Sequence, residues 1–293
     1  MDTLGFIGLG VMGEPMCRNL ARKSGRRVLA HDLAAAPVER LAAEGVIPAR
    51  SARELAARAD VVFLSLPSGT EVEAVCAGDA GLFATARAGQ TIVDLGTSPV
   101  ALARSLAERL AAKGAAFADA PVARTREAAI AGTLSIMVGA SDETFRSIRP
   151  LLETMASDVT HCGGPGAGQL AKILNNMVLA QTVVALAEAL ATARRSGVDA
   201  PRIFEALTKG SADSFALRNH GMKALLPGVF PERAFSAEYM LKDVRYALEA
   251  AGEAGLDLRG ARNTHALLEG TIAAGYGKEY WPALYKIIDR LPP

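Results

Sequence analysis

A lysine and two amides, Lys172-x-x-Asn175-Asn176, stand near the start of the otherwise apolar stretch from Leu170 to Ala193. In a helix Lys172 and Asn176 are four apart and share a face, with Asn175 beside them. Polar groups so placed need partners when buried. The pair suits acid–base work on a hydroxyl or carbonyl, the lysine taking or giving the proton and Asn176 orienting the reacting oxygen. Burial and a neighbouring cation both lower a lysine's pKa toward neutrality. A purely structural polar network is the competing reading.

A second charge stands out in "DAPVARTREAAIAGTL", residues 119–134. Arg124 follows closely on a strand, where α/β proteins tend to hold ligands. Its planar fork of donors suits the anionic end of a small substrate, a carboxylate or a sulfonate. Ala123, Thr125 and Gly132 frame the same turn, and Asn175 joins them as a substrate contact. A solvated turn residue paired with Glu127 is the alternative, and Arg126 fits that surface role better.

The chain opens with "GFIGLGVMGEPM", which places Gly8, Gly10 and Gly13 between a strand and a helix. The first glycine permits the tight turn, the second lets backbone approach a pyrophosphate, and the third allows close strand–helix packing. Val11 and Met12 lie within the same cofactor-binding turn. Asp32 follows about 19 residues after Gly13, where a carboxylate accepts from a ribose 2′-hydroxyl and repels a 2′-phosphate. The spacing predicts NAD in preference to NADP.

These residues need a scaffold. Short apolar runs at Leu4–Ile7, Arg27–His31, Val61–Ser65, Thr91–Asp94 and Ala115–Asp119 alternate with helical patterns such as Met12–Lys23, Ala52–Ala57 and Val100–Lys113. That alternation predicts a doubly wound, mostly parallel α/β sheet. Two later strands, Leu134–Val138 and Val159–His161, flank a helix over about 142–154. After "GGPGAG" one helical pattern runs from Gln169 to Ser196, and no comparable strand signal follows. We expect a dinucleotide-binding domain over 1–162 and an all-helical domain over 163–293, joined by a long interdomain helix.

Composition narrows the classes further. Across 293 residues, 50% are apolar and the net charge is +1, so no electrostatic case arises for nucleic acid or an anionic membrane. The polar residues within Leu170–Ala193 argue for a bundle helix over a membrane span. Three scattered cysteines suit a reducing compartment, the histidines lack metal-ligand spacing, and no secretory signal is expected. We expect a cytoplasmic protein with no metal.

Four motifs in order, "GFIGLGVMGEPM", "DAPV…GTLSIMVGA", "GPGAGQLAKILNNM" and "LKDVRYAL", resemble the β-hydroxyacid dehydrogenase family over nearly the whole chain. That family includes 3-hydroxyisobutyrate dehydrogenase, tartronate semialdehyde reductase and sulfolactaldehyde reductase. The resemblance implies a Rossmann-type domain, a helical domain, and NAD-dependent interconversion of a short 3-hydroxy acid, or a sulfonate analogue, with its semialdehyde. It implies Lys172 as acid/base with Asn176 beside it, and Lys242 and Asp243 near cofactor and substrate. Phe235 matches the upstream aromatic, Leu66-Pro67 the loop on the adenosine side, and Thr97 a nicotinamide contact. A homodimer or homotetramer is also implied. Two departures stand out: Gly96 replaces a usual serine, and Ala123-Arg124-Thr125 replaces Ser-Gly-Gly, whose serine and backbone N–H groups hold a carboxylate. Sulfolactaldehyde reductases look similar there. A non-catalytic dinucleotide sensor and an imine reductase are the alternatives; Lys172 argues against the second.

Overall fold

The computed structural model describes residues 3–78, 81–232 and 234–290. Strands β1 (Thr3–Ile7), β2 (Arg27–His31), β3 (Ile47–Pro48), β4 (Val61–Leu64), β5 (Thr91–Asp94), β6 (Ala116–Asp119), β7 (Val122–Ala123), β8 (Leu134–Gly139) and β9 (Ala156–Gly163) form one sheet. Their order is β3-β2-β1-β4-β5-β6-β8-β7, with β9 also on β8. The first six strands run parallel and β8 meets β6 and β7 antiparallel, while β9 runs parallel to β8. The expected strands are present; β3 and β7, two residues each, are too short to leave a periodic signature.

Helices α1 (Gly13–Lys23), α2 (Ala35–Ala42), α3 (Ala52–Arg58), α4 (Gly69–Ala77), α5 (Val100–Ala111), α6 (Arg126–Ala131) and α7 (Asp142–Leu152) join these strands. Two apolar clusters result, one around Phe6, Met16, Leu20 and Phe63, the other around Leu29, Leu55, Leu64 and Leu106. Both include strand residues, because a parallel sheet buries both its faces. Helix starts follow local chemistry: Ser51, Ser68 and Ser141 each accept a backbone N–H from the first turn of their helix.

The remainder is helical: α8 (Ala167–Arg195), α9 (Ala200–Leu207), a π-helical stretch (Leu217–Leu225), α10 (Ala237–Glu253), α11 (Arg259–Thr271) and α12 (Tyr285–Ile288). Isolated bridges join Glu232 to Glu279 and Ser236 to Tyr280. The core of this part gathers Val183, Ala187 and Leu190 of α8 with Phe204, Leu217, Met240 and Trp281. Helix α8 has a mean hydropathy of 1.5 over its most apolar window, enough by length and composition to span a membrane. Its packing in that cluster makes it a core helix.

The chain divides into two compact units, Met1–Lys172 and Ile173–Pro293. The division falls inside α8, because the first turn of that helix is bonded to the sheet, as described next.

Candidate active site

The parallel strands end in register: Ile7 lies opposite His31 and Leu64, Leu64 opposite Asp94, and Asp94 opposite Asp119. The strand order turns back at β1, so loops from β1 and β4 diverge there and leave a crevice at their carboxyl ends. The glycine turn occupies that place. Gly8 has φ of +92°, and a Cβ there would sit 2.3 Å from the Ser65 carbonyl oxygen. A Cβ on Gly13 would meet the Gly8 carbonyl oxygen, whereas one on Gly10 would meet nothing within 4 Å. Gly8 and Gly13 therefore serve packing, while Gly10 borders open space at the mouth of α1.

Asp32 is half-buried beside this turn and accepts N–H bonds from Leu9 at 2.5 Å and Ala34 at 2.7 Å. Val11 is 61% exposed and Leu33 fully exposed, leaving apolar surface uncovered next to the carboxylate. Leu66 packs within 3.1 Å of the Gly8 Cβ position, and Pro67 follows it at the surface. An open glycine, an 11-residue helix with no side-chain cap at Met12, and a positioned carboxylate fit a dinucleotide.

The loop after β5 is held by a buried network. Asp94 accepts from the Gly96 N–H at 2.9 Å and from the Ser98 hydroxyl at 2.8 Å. Gln169, fully buried in the first turn of α8, donates to the Gly96 carbonyl at 2.9 Å and accepts from the Ser98 N–H at 3.0 Å. Thr97 sits between these anchored residues and is half-buried. The missing serine has a physical reason: a Cβ on Gly96 would lie 2.9 Å from the Leu66 carbonyl oxygen and 3.1 Å from Asp94.

Asp119 fixes the same helix end. Its carboxylate accepts from the backbone N–H groups of Gly166 at 2.6 Å and Gln169 at 2.7 Å, a long-range cap for α8. Burial pushes its pKa up to about 6 against the opposing pull of those N–H groups. Lys172 follows one turn later, half-buried. Neither Gln169 nor the capping role of Asp119 was read from the sequence. The signal available was a glutamine three residues ahead of Lys172 and an aspartate closing a buried strand.

Further along α8, Asn176 is 3% exposed and donates to Asp243 at 2.6 Å. Its carbonyl oxygen accepts from Asn175 at 3.0 Å. The other Asp243 oxygen is 3.0 Å from the Lys242 ammonium, which also lies 5.1 Å from the Tyr246 ring centre. Phe235 stacks on Tyr239, ring centres 6.2 Å apart. The "NN" and "LKD" motifs are thus one hydrogen-bonded cluster in the second unit, with Asp243 at its centre.

Arg124 departs from the expected arrangement. Its guanidinium donates to the Thr133 carbonyl at 2.6 Å, the Ser157 hydroxyl at 2.7 Å and Asp158 at 2.7 Å. The group expected to reach a substrate anion is thus bonded to strand β9 and the residue before β8. The sequence could not show this, because Ser157 and Asp158 lie more than 30 positions away. Arg124 is also the one non-glycine residue with positive φ, +85°, among the described residues. That conformation costs an L-residue roughly 1–2 kcal/mol. An exposed ion pair supplies about 0–1 kcal/mol and each added hydrogen bond about 1 kcal/mol, so the three contacts offset it. Thr125 follows, exposed, as the N-cap of α6, and Gly132 ends that helix at φ +71°.

A Rossmann-order sheet with a glycine turn and ribose-side carboxylate, followed by a helical unit, defines a nicotinamide-dinucleotide oxidoreductase of two-unit type. Residues 3–164 match the family described as the NAD binding domain of 6-phosphogluconate dehydrogenase. Residues 166–288 match the NAD-binding family of NADP-dependent 3-hydroxyisobutyrate dehydrogenase. The chain is 36% identical to 2-(hydroxymethyl)glutarate dehydrogenase of Eubacterium barkeri, covering 98% of this chain and 95% of that one. It is 39% identical to 3-hydroxyisobutyrate dehydrogenase of Pseudomonas aeruginosa over 86% of each. The solved Mycobacterium tuberculosis 3-hydroxyisobutyrate dehydrogenase with L-serine superposes at a TM-score of 0.89 and 34% identity, covering 99% of this chain and 100% of that chain. The chain belongs to the β-hydroxyacid dehydrogenase family. It is a nicotinamide-dependent hydroxyacid oxidoreductase.

Proposed function

We propose that this chain transfers hydride reversibly between NAD(H) and a short 3-hydroxy acid, with Lys172 as the general acid/base. The observation that carries the reading is the α8 constellation. Lys172 and Asn176 are four apart on one helix, and Asn176 is fixed through Asp243 and Asn175. The bound nicotinamide supplies the hydride acceptor or donor. In oxidation the Lys172 amine takes the hydroxyl proton as the carbon loses hydride; in reduction it returns that proton to the carbonyl oxygen. Asn176, its rotamer held by two hydrogen bonds, orients the reacting oxygen. Asp32 favours NAD over NADP, since its carboxylate repels a 2′-phosphate.

The substrate is a small hydroxy acid ending in a carboxylate or sulfonate, received at the Ala123–Thr125 turn. The relatives' names suggest 3-hydroxyisobutyrate, L-serine and 2-(hydroxymethyl)glutarate as first candidates. We place the protein in the cytoplasm as a homodimer or homotetramer; exposed Leu174 and Val178, four apart on α8, support a helix-to-helix association.

The test is a panel of those three compounds and a sulfonate analogue, each assayed with NAD and NADP in wild type and Lys172→Ala. We expect turnover with NAD, and a loss of about 10²–10⁴-fold in kcat for Lys172→Ala with NADH affinity kept. Retained kcat overturns the acid/base role, and a strong NADP preference overturns the role of Asp32.

A further inference from the structure

Arg124 combines two features that rarely meet: a bulky side chain and a left-handed backbone, φ +85°. Strain of this kind persists where the surroundings enforce it, and it clusters at functional turns. The enforcing element is identifiable. Ala123 pairs with Ser135 of β8, and Ser135 pairs with Asp158 of β9. Between Leu134/Ala156 and Ser135/Asp158 the register shifts, so Ser157 is an extra residue in a bulge. Bulges re-aim side chains. Here Ser157 and Asp158 both bond the Arg124 guanidinium, and the Ser157 hydroxyl also donates to Asp158 at 2.8 Å. The Asp158 carboxyl is held below its ordinary pKa, first by Ser157 and then by Arg124. The arginine therefore reaches from β7 across β8 to a bulge whose residues are turned to receive it.

We propose that Arg124 is a positioning residue: latched to Thr133, Ser157 and Asp158, its guanidinium holds its own backbone left-handed and so shapes the turn that receives the substrate's anionic end. The side chain acts on substrate through the main chain rather than by contact. This rests on the reading of the Ala123–Thr125 turn as the substrate site. It also explains how an arginine occupies a backbone conformation suited to glycine.

The test compares Arg124→Ala, Arg124→Gly and Asp158→Ala, with KM and kcat for the best substrate of the panel, NADH affinity and melting temperature. Alanine keeps the strained φ and loses the latch, so KM rises about tenfold, with kcat and NADH affinity less affected. Asp158→Ala changes KM in the same direction. Glycine needs no latch, so Arg124→Gly recovers most of what Arg124→Ala loses. If glycine and alanine are equally impaired and Asp158→Ala lowers KM by releasing the guanidinium, Arg124 is a direct ligand and the latch is wrong, while the turn remains the substrate site. If KM is unchanged in all three, whatever the melting temperature, the turn is not the substrate site and both readings fall.

Discussion

Gly96 shows how a single position carries information that its residue type conceals. In the sequence it reads as a lost serine and a lost polar contact. In the fold its backbone does the bonding, the N–H to Asp94 and the carbonyl from Gln169. The Leu66 carbonyl oxygen stands where a side chain would begin. We expect Gly96→Ser to destabilise the protein by about 1–3 kcal/mol, the usual range for overpacking, and to raise KM for the dinucleotide by displacing Thr97. Denaturant unfolding and dinucleotide saturation curves check both effects; an unchanged midpoint would show that the Leu66 loop yields freely. Asp32 was the opposite case. Its distance from Gly13 was enough to place it, because the length of a strand–helix–strand unit is nearly fixed.

At the scale of elements, the first turn of α8 matters most. Five of the polar groups around it, from Asp94, Gly96, Ser98, Asp119 and Gln169, belong to segments far apart in sequence. Gln169 joins the loop after β5 to the helix that carries Lys172. Replacing it with leucine leaves the Ser98 N–H and the Gly96 carbonyl without this partner. Each buried group left unpaired costs about 1–3 kcal/mol. Gln169→Leu is therefore expected to lower the unfolding free energy by at least about 2 kcal/mol and to weaken dinucleotide binding. Gln169→Glu would test the geometry separately, since it keeps the acceptor for Ser98 and loses the donor to Gly96. An unperturbed protein in both cases would show that the network is idle. The helix was legible from its apolar period; its tether was not, because hydrogen-bond partners leave no periodic trace.

At the scale of the molecule, two buried groups give the two units opposite responses to acid. His220 lies in the helical core, 7% exposed, with Nδ1 at 2.6 Å from the Tyr280 hydroxyl. Burial lowers its pKa to about 4 from an ordinary 6.5. The unfolded chain takes up this proton near pH 6.5 and the folded one only near 4, so stability is lost as pH falls between them. Asp119 in the sheet unit has the reverse sign: its pKa is raised to about 6 from 3.8, so the folded state binds the proton first and gains as pH falls from 6. Each window amounts to roughly 3 kcal/mol. The chain's single tryptophan, Trp281, has its ring centre 5.3 Å from that of His220 and reports on the helical unit. Tryptophan-monitored urea unfolding should show wild type losing stability from pH 7 to 4.5, and His220→Phe losing much less. Equal losses would remove His220 as the source.

The sequence by itself determined what short-range rules control. The alternation of strands and helices, the glycine turn, the Asp32 spacing and the placement of Lys172 and Asn176 on one helix all follow from local periodicity and fixed element lengths. The tertiary structure alone decided which long-range partner each polar group found. It turned Arg124 toward a bulge in β9, made Asp243 the hub of Asn176 and Lys242, and used Asp119 to cap α8. Those pairings depend on strand order and register, and a residue's neighbours across a sheet are not its neighbours in the chain.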